Sequence, residues 1–558
     1  MPRAQRECGH KVKVIRSDNG GEFIGSDFEG ELKRKGIQHQ LTVPYNPQQN
    51  GMAERFNRTL QEGARTLLGR AGLPDPGKPN VVQAGSMVEQ IEEDEIAHCY
   101  WAPIPEPKTQ EEALNGPNGE KWKASEDEEF RSLIENETWD TCDLPPGKKA
   151  ITSKMIYRHK YGPEGELTRY KSRLVARGFQ QTKGKDYDEV FAPVGKGTTL
   201  RVLLAIAALL GWKIRQMDIV TAFLNGIILE EVYMKQPEGL DDGSGRVCRL
   251  KKAIYGLKQA PRARYHKLEE ALLAGGFKKS ECDPSLFLLQ EKDEILMLLV
   301  YVDDILLFSA STALLDSAEQ MLEMQFKCSK MGEVKYYLGM HVERDVEKGV
   351  LRLHQRKYCE GLAEKYGLQN GGKPATPLPS GFTVEPCADE ELEAAKRLVR
   401  YVSATASVGL EYSGVRQRLQ RGVADVKSGE MLLSCYTDAS FNSVKADGTS
   451  IGGYVCLLGG AAVSWRNKKQ NEVGLSSCET EYMALHHGVK EVVWLRRLLE
   501  ELGVGQEEPT VVFCDNESAV KLAKNACLHG LTKHIRPKWH WVRRLLDKEV
   551  RLEIVKTH

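Results

Sequence analysis

The chain has 558 residues, too many for one hydrophobic core, so at roughly 150 residues per domain three or four units are expected. Its 78 basic and 78 acidic residues cancel, which excludes a globally charged nucleic-acid binder and leaves only local basic stripes to consider. The 13 cysteines stand singly, without a CxxC pair, and this excludes a zinc knuckle.

With no secretory signal at "MPRAQRECGHKVKV", the cysteines are expected to be free thiols in a reducing compartment. The longest apolar runs, from Val202 and from Ile295, fall short of the roughly 20 residues needed to cross a bilayer, so a soluble protein is expected.

Residues 1–73 alternate short β-like runs with helical ones, and "AERFNRTLQEGARTLLGRAG" reads as a helix closed by Gly72 and Pro74, which predicts an α/β fragment. Residues 74–107, with "PDPGKP", "EQIEEDE" and "APIPEP", read as a linker. Residues 108–372 mix helices ("LRVLLAIAALLGW", "YHKLEEALLAGG") with strands ("RLVARGF", "LLVYVDDILLF"), as an α+β domain does. Residues 373–430 are expected to be a connector. In residues 431–558 the strands of "EMLLSCYTDAS" and "IGGYVCLLGGAAVSWR" precede the helix "CETEYMALHHGVKEVVWLRRLLEELG" and the strand "TVVFCDN", which predicts a mixed sheet covered by helices.

The chemistry concentrates in carboxylates. Asp303 and Asp304 interrupt an apolar strand, and burying them ionised without partners costs several kcal/mol (roughly), so they need a turn, a cation or a proton. Neighbours in a strand point to opposite faces, so a tight hairpin between "LLVYV" and "ILLF" is predicted. In "WKIRQMDIVTAFLNG" Asp218 is expected just after a strand-like stretch. Asp18 in "IRSDNGGEF" and Glu54 in "PYNPQQNGMAERFNRTL" have 35 residues between them, and Asp438, Glu481 and Asp515 fall on a strand, a helix and a strand end. Taken singly, each also suits a turn, a helix start or a surface hairpin.

The surrounding words carry more. "RSDNGGEF" with "PQQNGMAERFNRTL" resembles the catalytic core of copia-type retroelement integrases. "QMDIVTAFLNG", "IYGLKQAPRARY" and "YVDDILLF" resemble the palm of copia-type reverse transcriptases over about 106–345, and "CYTDASF", "SSCETEYMAL" and "VFCDNESAV" resemble the RNase H domain that follows it. Their order is that of the Pol polyprotein of copia-type long-terminal-repeat retrotransposons. The resemblance implies a multidomain α/β and α+β architecture: an RNase H-like integrase fragment, a palm/fingers/thumb reverse transcriptase, and a C-terminal RNase H-like domain.

By the same resemblance Asp218 and Asp303, supported by Asp304, would hold two Mg²⁺ ions (Mn²⁺ as a substitute). Hard oxygen ligands suit them. Phe223 would be the gate against a ribose 2′-hydroxyl, Gln259 would contact the incoming nucleotide, and Lys171 and Arg173 would neutralise its triphosphate. Leu338 and Gly339 in "GEVKYYLGMHV" would form the primer-gripping hairpin. Asp438, Glu481 and Asp515 would hold metal in the RNase H site, Glu481 being preferred to Glu479. Asp18 and Glu54 would be the second and third integrase ligands, with Asn46, Gln49, Asn50, Arg55, Asn57 and Arg58 near DNA.

Three departures from the family pattern stand out. Arg264 replaces a usual Trp in "PRARY", Arg536 replaces the fourth RNase H carboxylate in "KHIRPKWHW", and the first integrase Asp would lie upstream of residue 1. A guanidinium offers a metal no lone pair, so RNA-strand hydrolysis is not expected, although His534 and the basic, aromatic "KHIRPKWHWVRR" suit nucleic-acid contact as well as they suit an amphipathic helix. The expected partners are an RNA template, a DNA primer, an RNA–DNA hybrid and deoxynucleoside triphosphates, in cytoplasmic virus-like particles with nuclear entry of the integration complex. Two readings follow: an RNA-directed DNA polymerase, or a non-catalytic remnant that at most binds nucleic acid.

Overall fold

The computed structural model describes residues 14–17, 38–41, 106–161, 166–369, 371–377, 388–413, 432–444, 448–525 and 537–555. The chain divides into two units, 1–51 and 52–558. In the first, β1 (Val14–Ser17) and β2 (Gln38–Leu41) form a parallel pair. Asp18, Glu54, Asn46, Gln49, Asn50, Arg55, Asn57, Arg58, His534 and Arg536 lie outside the described residues.

In the second unit, α1 (Gln110–Asn115) and α2 (Gly119–Glu135) precede β3 (Trp139–Cys142), β4 (Ser153–Tyr161) and β5 (Leu167–Ala176). Then come α3 (Gly197–Leu210), β6 (Lys213–Ile219), β7 (Tyr233–Lys235), β8 (Val247–Leu250), α4 (Ala260–Ala274) and β9 (Lys278–Lys279). They are followed by β10 (Leu286–Glu291), β11 (Glu294–Tyr301), β12 (Asp304–Ser309), α5 (Thr312–Gln325) and β13 (Cys328–Glu333). Next are β14 (Tyr336–Tyr337), β15 (Met340–Asp345), β16 (Val350–His354), α6 (Arg356–Lys365), α7 (Ala388–Ala404) and β17 (Leu410–Ser413). The last are β18 (Leu433–Val444), β19 (Thr449–Leu458), β20 (Ala461–Lys469), α8 (Ser477–Glu501), β21 (Thr510–Cys514), α9 (Glu517–Lys524) and β22 (Val550–Ile554).

Three sheets position the chemistry. One is antiparallel, in the order β13-β6-β12-β11-β10-β9, and a second follows the order β14-β15-β16-β17. The third, β20-β19-β18-β21-β22, is mixed, because β21 runs parallel to both β18 and β22. The hairpin β4/β5 and the small sheet β3-β8-β7 complete the strands. Among the described residues no helix is long and apolar enough to cross a membrane.

The apolar run of β11 is explained by burial on both faces. Met297 and Leu299 pack into one core with Leu306 and Phe308, while Leu296, Leu298 and Val300 pack into another with Ile305 and Leu307. The two-residue period of a strand divides them, so the run need not alternate with polar residues. Helix α3 is apolar on nearly every side for a related reason: it touches β12, β16, β17 and β20, so three sheets share it. Gly211 stops it at φ +69, a left-handed cap that suits glycine.

One expectation changes. The stretch 373–430, expected as a connector, contains α7, which packs on α6, and β17, the edge strand of the second sheet, whose Leu410 and Tyr412 face Leu353 and Leu351 of β16. Its apolar positions are separated by charged residues at helical spacing, and a composition reading underweights such a pattern.

Candidate active site

The tight hairpin expected at "YVDD" is present. Tyr301 pairs with Asp304, and Val302 and Asp303 form the two-residue turn. Val302 has φ +49, the sign such hairpins require and one a β-branched residue rarely adopts. Strand β6 then brings Asp218 directly opposite Asp304 in the antiparallel ladder, inside the strand rather than just beyond it. Gln216, two residues earlier on the same face, donates to Asp304 Oδ1 at 3.1 Å.

Asp303 is turned toward other partners. The Tyr255 hydroxyl lies 3.4 Å from its Oδ2, the peptide N–H of Ile219 donates to its carbonyl at 2.9 Å, and its charge acts on Arg173. Burial, then the Asp218 carboxylate, push Asp304 up to about 7, with Gln216 opposing them and Asp303 adding to them. Three acidic groups so placed fit a divalent cation, which would let them all ionise.

Lys171 and Arg173 share one face of β5, where Arg158 and Ile156 stand opposite them. The Arg173 Nη1 donates to Glu129 at 3.0 Å, and its guanidinium lies 5.1 Å from the Tyr255 ring centre. Burial works against its charge, yet Tyr255 and Glu129 hold its pKa above the ordinary value. Phe223 packs edge-on against Tyr255 with ring centres 4.6 Å apart. Gln259 is buried at the start of α4, with its carbonyl accepting from Gln181 at 3.0 Å and its amide donating to the Asp186 carbonyl at 2.8 Å. Both of its polar groups are therefore engaged inside the protein. Leu338 and Gly339, at φ +48 and +77, form the turn between β14 and β15.

Arg264, a departure from the resembled pattern, is buried, and its Nη1 donates to the Val302 carbonyl in the hairpin turn. Sequence reasoning missed Gln216, Tyr255 and Gln181; the only signal was their nearness in the chain to Asp218, "YGLKQ" and "FQQT".

A second constellation lies on the mixed sheet. A Cβ on Gly488 would come within 2.4 Å of Thr437, so glycine there lets α8 approach β18 closely. Glu481, two turns earlier on the same face of α8, reaches the strand that carries Asp438 and accepts from the Ala439 N–H at 3.0 Å. Glu479 faces the helix start, where its Oε2 accepts from the Leu475 N–H at 2.8 Å while Ser476 Oγ accepts from the Glu479 N–H at 3.3 Å. Capping thus occupies Glu479 and leaves Glu481 for the site.

Burial first, and the charges of Asp438 and Asp515, raise Glu481 to about 7 against the pull of the Ala439 N–H. Glu481 Oε2 is buried with no hydrogen-bond partner, an orphan that fits a cation. Among the described residues, the group whose potential ligand atoms all lie within 4.8 Å of one another is Glu481, Cys514 and Asp515. Asp438 is not in that group, nor do the three aspartates of the first site close to that spacing. Cys514 was not anticipated, although its place before Asp515 in "VFCDN" was visible.

Residues 136–380 match a family described as reverse transcriptase (RNA-dependent DNA polymerase). The chain is 28% identical to the retrovirus-related Pol polyprotein from transposon TNT 1-94 of Nicotiana tabacum, over 98% of this chain and 57% of that protein. It is 35% and 34% identical to the Pol polyproteins from transposons RE1 and RE2 of Arabidopsis thaliana, over 81% of this chain and 33% of each. The chain thus spans between a third and somewhat over half of these relatives.

Proposed function

From a chain that belongs with the copia-type Pol polyproteins and carries a reverse transcriptase domain, we propose RNA-directed DNA polymerisation at the Asp218/Asp303/Asp304 site. The observation that carries this reading is the ladder pairing of Asp218 with Asp304 beside a turn that holds Asp303. In this reading the β13-to-β9 sheet is the palm, β4/β5 with α2 belong to the fingers, and the mixed sheet with α8 is the RNase H-like domain.

The three aspartates would hold two Mg²⁺ ions, which when bound activate a primer 3′-hydroxyl and stabilise the leaving pyrophosphate. Gln216 orients the Asp304 carboxyl and Tyr255 that of Asp303. Lys171 and Arg173 present positive charge from β5 to a triphosphate, with Arg173 fixed in direction by Glu129. Phe223, braced by Tyr255, would stand where a deoxyribose is told from a ribose. Leu338 and Gly339 would turn the backbone against the primer. The partners are an RNA template, a DNA primer and deoxynucleoside triphosphates.

Primer extension on poly(rA) with oligo(dT) and Mg²⁺ tests this. The full chain should incorporate dTTP, and Asp303→Asn should fall to background. Equal incorporation by the two would leave the alternative, a nucleic-acid-binding relative without catalysis.

A further inference from the structure

The oxygens of the second constellation suit hard cations, but a sulfur stands among them. We propose that Glu481, Cys514 and Asp515 form a binding site for a thiophilic divalent cation of the Zn²⁺, Cd²⁺ or Co²⁺ class. The site shares Glu481 and Asp515 with the carboxylate set expected with Asp438 and differs from it by its sulfur ligand, and it does not depend on whether the chain polymerises DNA.

Each residue is delivered by a rigid element. Cys514 ends β21, whose register with β18 pairs it with Thr437, and Asp515 follows at the mouth of the strand. Glu481 lies in the first turns of α8, anchored through Oε1 to the Ala439 N–H. Its second oxygen is the orphan: the residue is 5% exposed and Oε2 has no hydrogen-bond partner, so the carboxylate is fixed in direction yet unsatisfied. The three ligand atoms already lie within 4.8 Å of one another. Bonds of about 2.0–2.2 Å to oxygen and about 2.3 Å to sulfur need only a modest inward rotation of the side chains to close on one ion.

The sulfur decides the class. Mg²⁺ keeps its water and prefers oxygen, whereas a thiolate selects softer or borderline ions. Burial pushes the Cys514 thiol up to about 11, and its Sγ lies 4.0 Å from the Asn516 carbonyl, so the cation itself has to displace the proton. On binding, the S–H bond breaks, its proton passes to solvent, and the sulfur lone pair forms the bond to the cation. Asp515 is exposed and opens the path for entry, while water completes the tetrahedron.

The test is Co²⁺ titration of the full chain, read by sulfur-to-cobalt charge-transfer absorption and by the visible bands of tetrahedral Co²⁺. The wild type should develop both in a single saturable step. Cys514→Ser should lose the charge-transfer band, and Glu481→Gln and the exposed Asp515→Asn should each weaken binding about tenfold or more. Cys328→Ala, outside the cluster, should bind as the wild type does. Should Cys514→Ser fail to fold, Cys514→Ala decides by the same charge-transfer band, because Asp515 belongs to the carboxylate set as well and its loss would weaken either site. A charge-transfer band that survives Cys514→Ser, or none in the wild type, overturns the proposal.

Discussion

Arg264 on α4 donates to the carbonyl of Val302, the residue that bends the chain just before Asp303 and Asp304. A β-branched residue held at positive φ stores about 1–3 kcal/mol and persists only where its surroundings over-determine it. Arg264 is one such determinant.

Arg264→Met should therefore relax the turn, raise the Mg²⁺ concentration needed for half-maximal polymerisation, and lower the rate. A lost charged hydrogen bond of about 1.5–3 kcal/mol corresponds to roughly tenfold or more in rate. Arg264→Lys should recover part of the loss. An unchanged Mg²⁺ requirement in Arg264→Met would show that the arginine only fills space.

The raised carboxyls give a pH signature. Asp304 and Glu481 titrate near 7 in the folded chain, whereas unfolded Asp and Glu titrate at about 4. Between those values the folded state binds more protons, so this share of stability is full below the unfolded pKa and is lost as pH rises through 7. The double variant Asp304→Asn, Glu481→Gln should accordingly show a flatter melting temperature than the wild type from about pH 5 to about pH 8. Mg²⁺ should raise the wild-type melting temperature most at the alkaline end. Identical pH slopes for the two proteins would contradict the assignment.

Arg201 ties α3 to the mixed sheet. Its Nε donates to the Val463 carbonyl at 2.7 Å and its guanidinium stacks 4.4 Å from the Trp465 ring centre. Arg201→Ala leaves that carbonyl unpartnered beside a void, a loss of roughly 2–4 kcal/mol. Calorimetry should show the transition shifted down by several degrees, and Arg201→Met, which keeps the packing, should shift it less. No shift for the alanine variant would mean that the contact is not maintained in solution.

Phe223→Ala should admit ribonucleotides. Removing the ring leaves Tyr255 without its edge contact, and a discrimination of about 1–3 kcal/mol should be lost. The ratio of kcat/KM for dTTP to that for UTP reads this directly, and an unaltered ratio would remove Phe223 from the gate.

The hairpin at Val302 and Asp303, the apolar α3 and the long α8 were legible because strand and helix periods, with turn chemistry, act locally. The ladder partners were not. Asp218 meets Asp304 through a register set by strands far apart in sequence, and Gln216 acquires its role only from that register. Gln259 was expected at a nucleotide, but its bonds to Gln181 and Asp186 come from a loop whose path no periodicity reveals. Cys514 was read past because a cysteine in a strand is usually core, and only the approach of α8 across Gly488 brings Glu481 beside it.

Helix α3 also bears on what the chain can afford to lose. Its Leu209 fits against Gly459, where a Cβ would come within 3.0 Å, and its Arg201 depends on Val463 and Trp465. Residues of the C-terminal sheet thus complete the interior of the part that carries Asp218 and Asp304. Substitutions around Glu481 would leave that interior in place, whereas those at the seam with α3 would disturb the part that carries Asp218 and Asp304. One sheet thus has two separable duties, a carboxylate cluster at one end and a structural wall for its neighbour at the other.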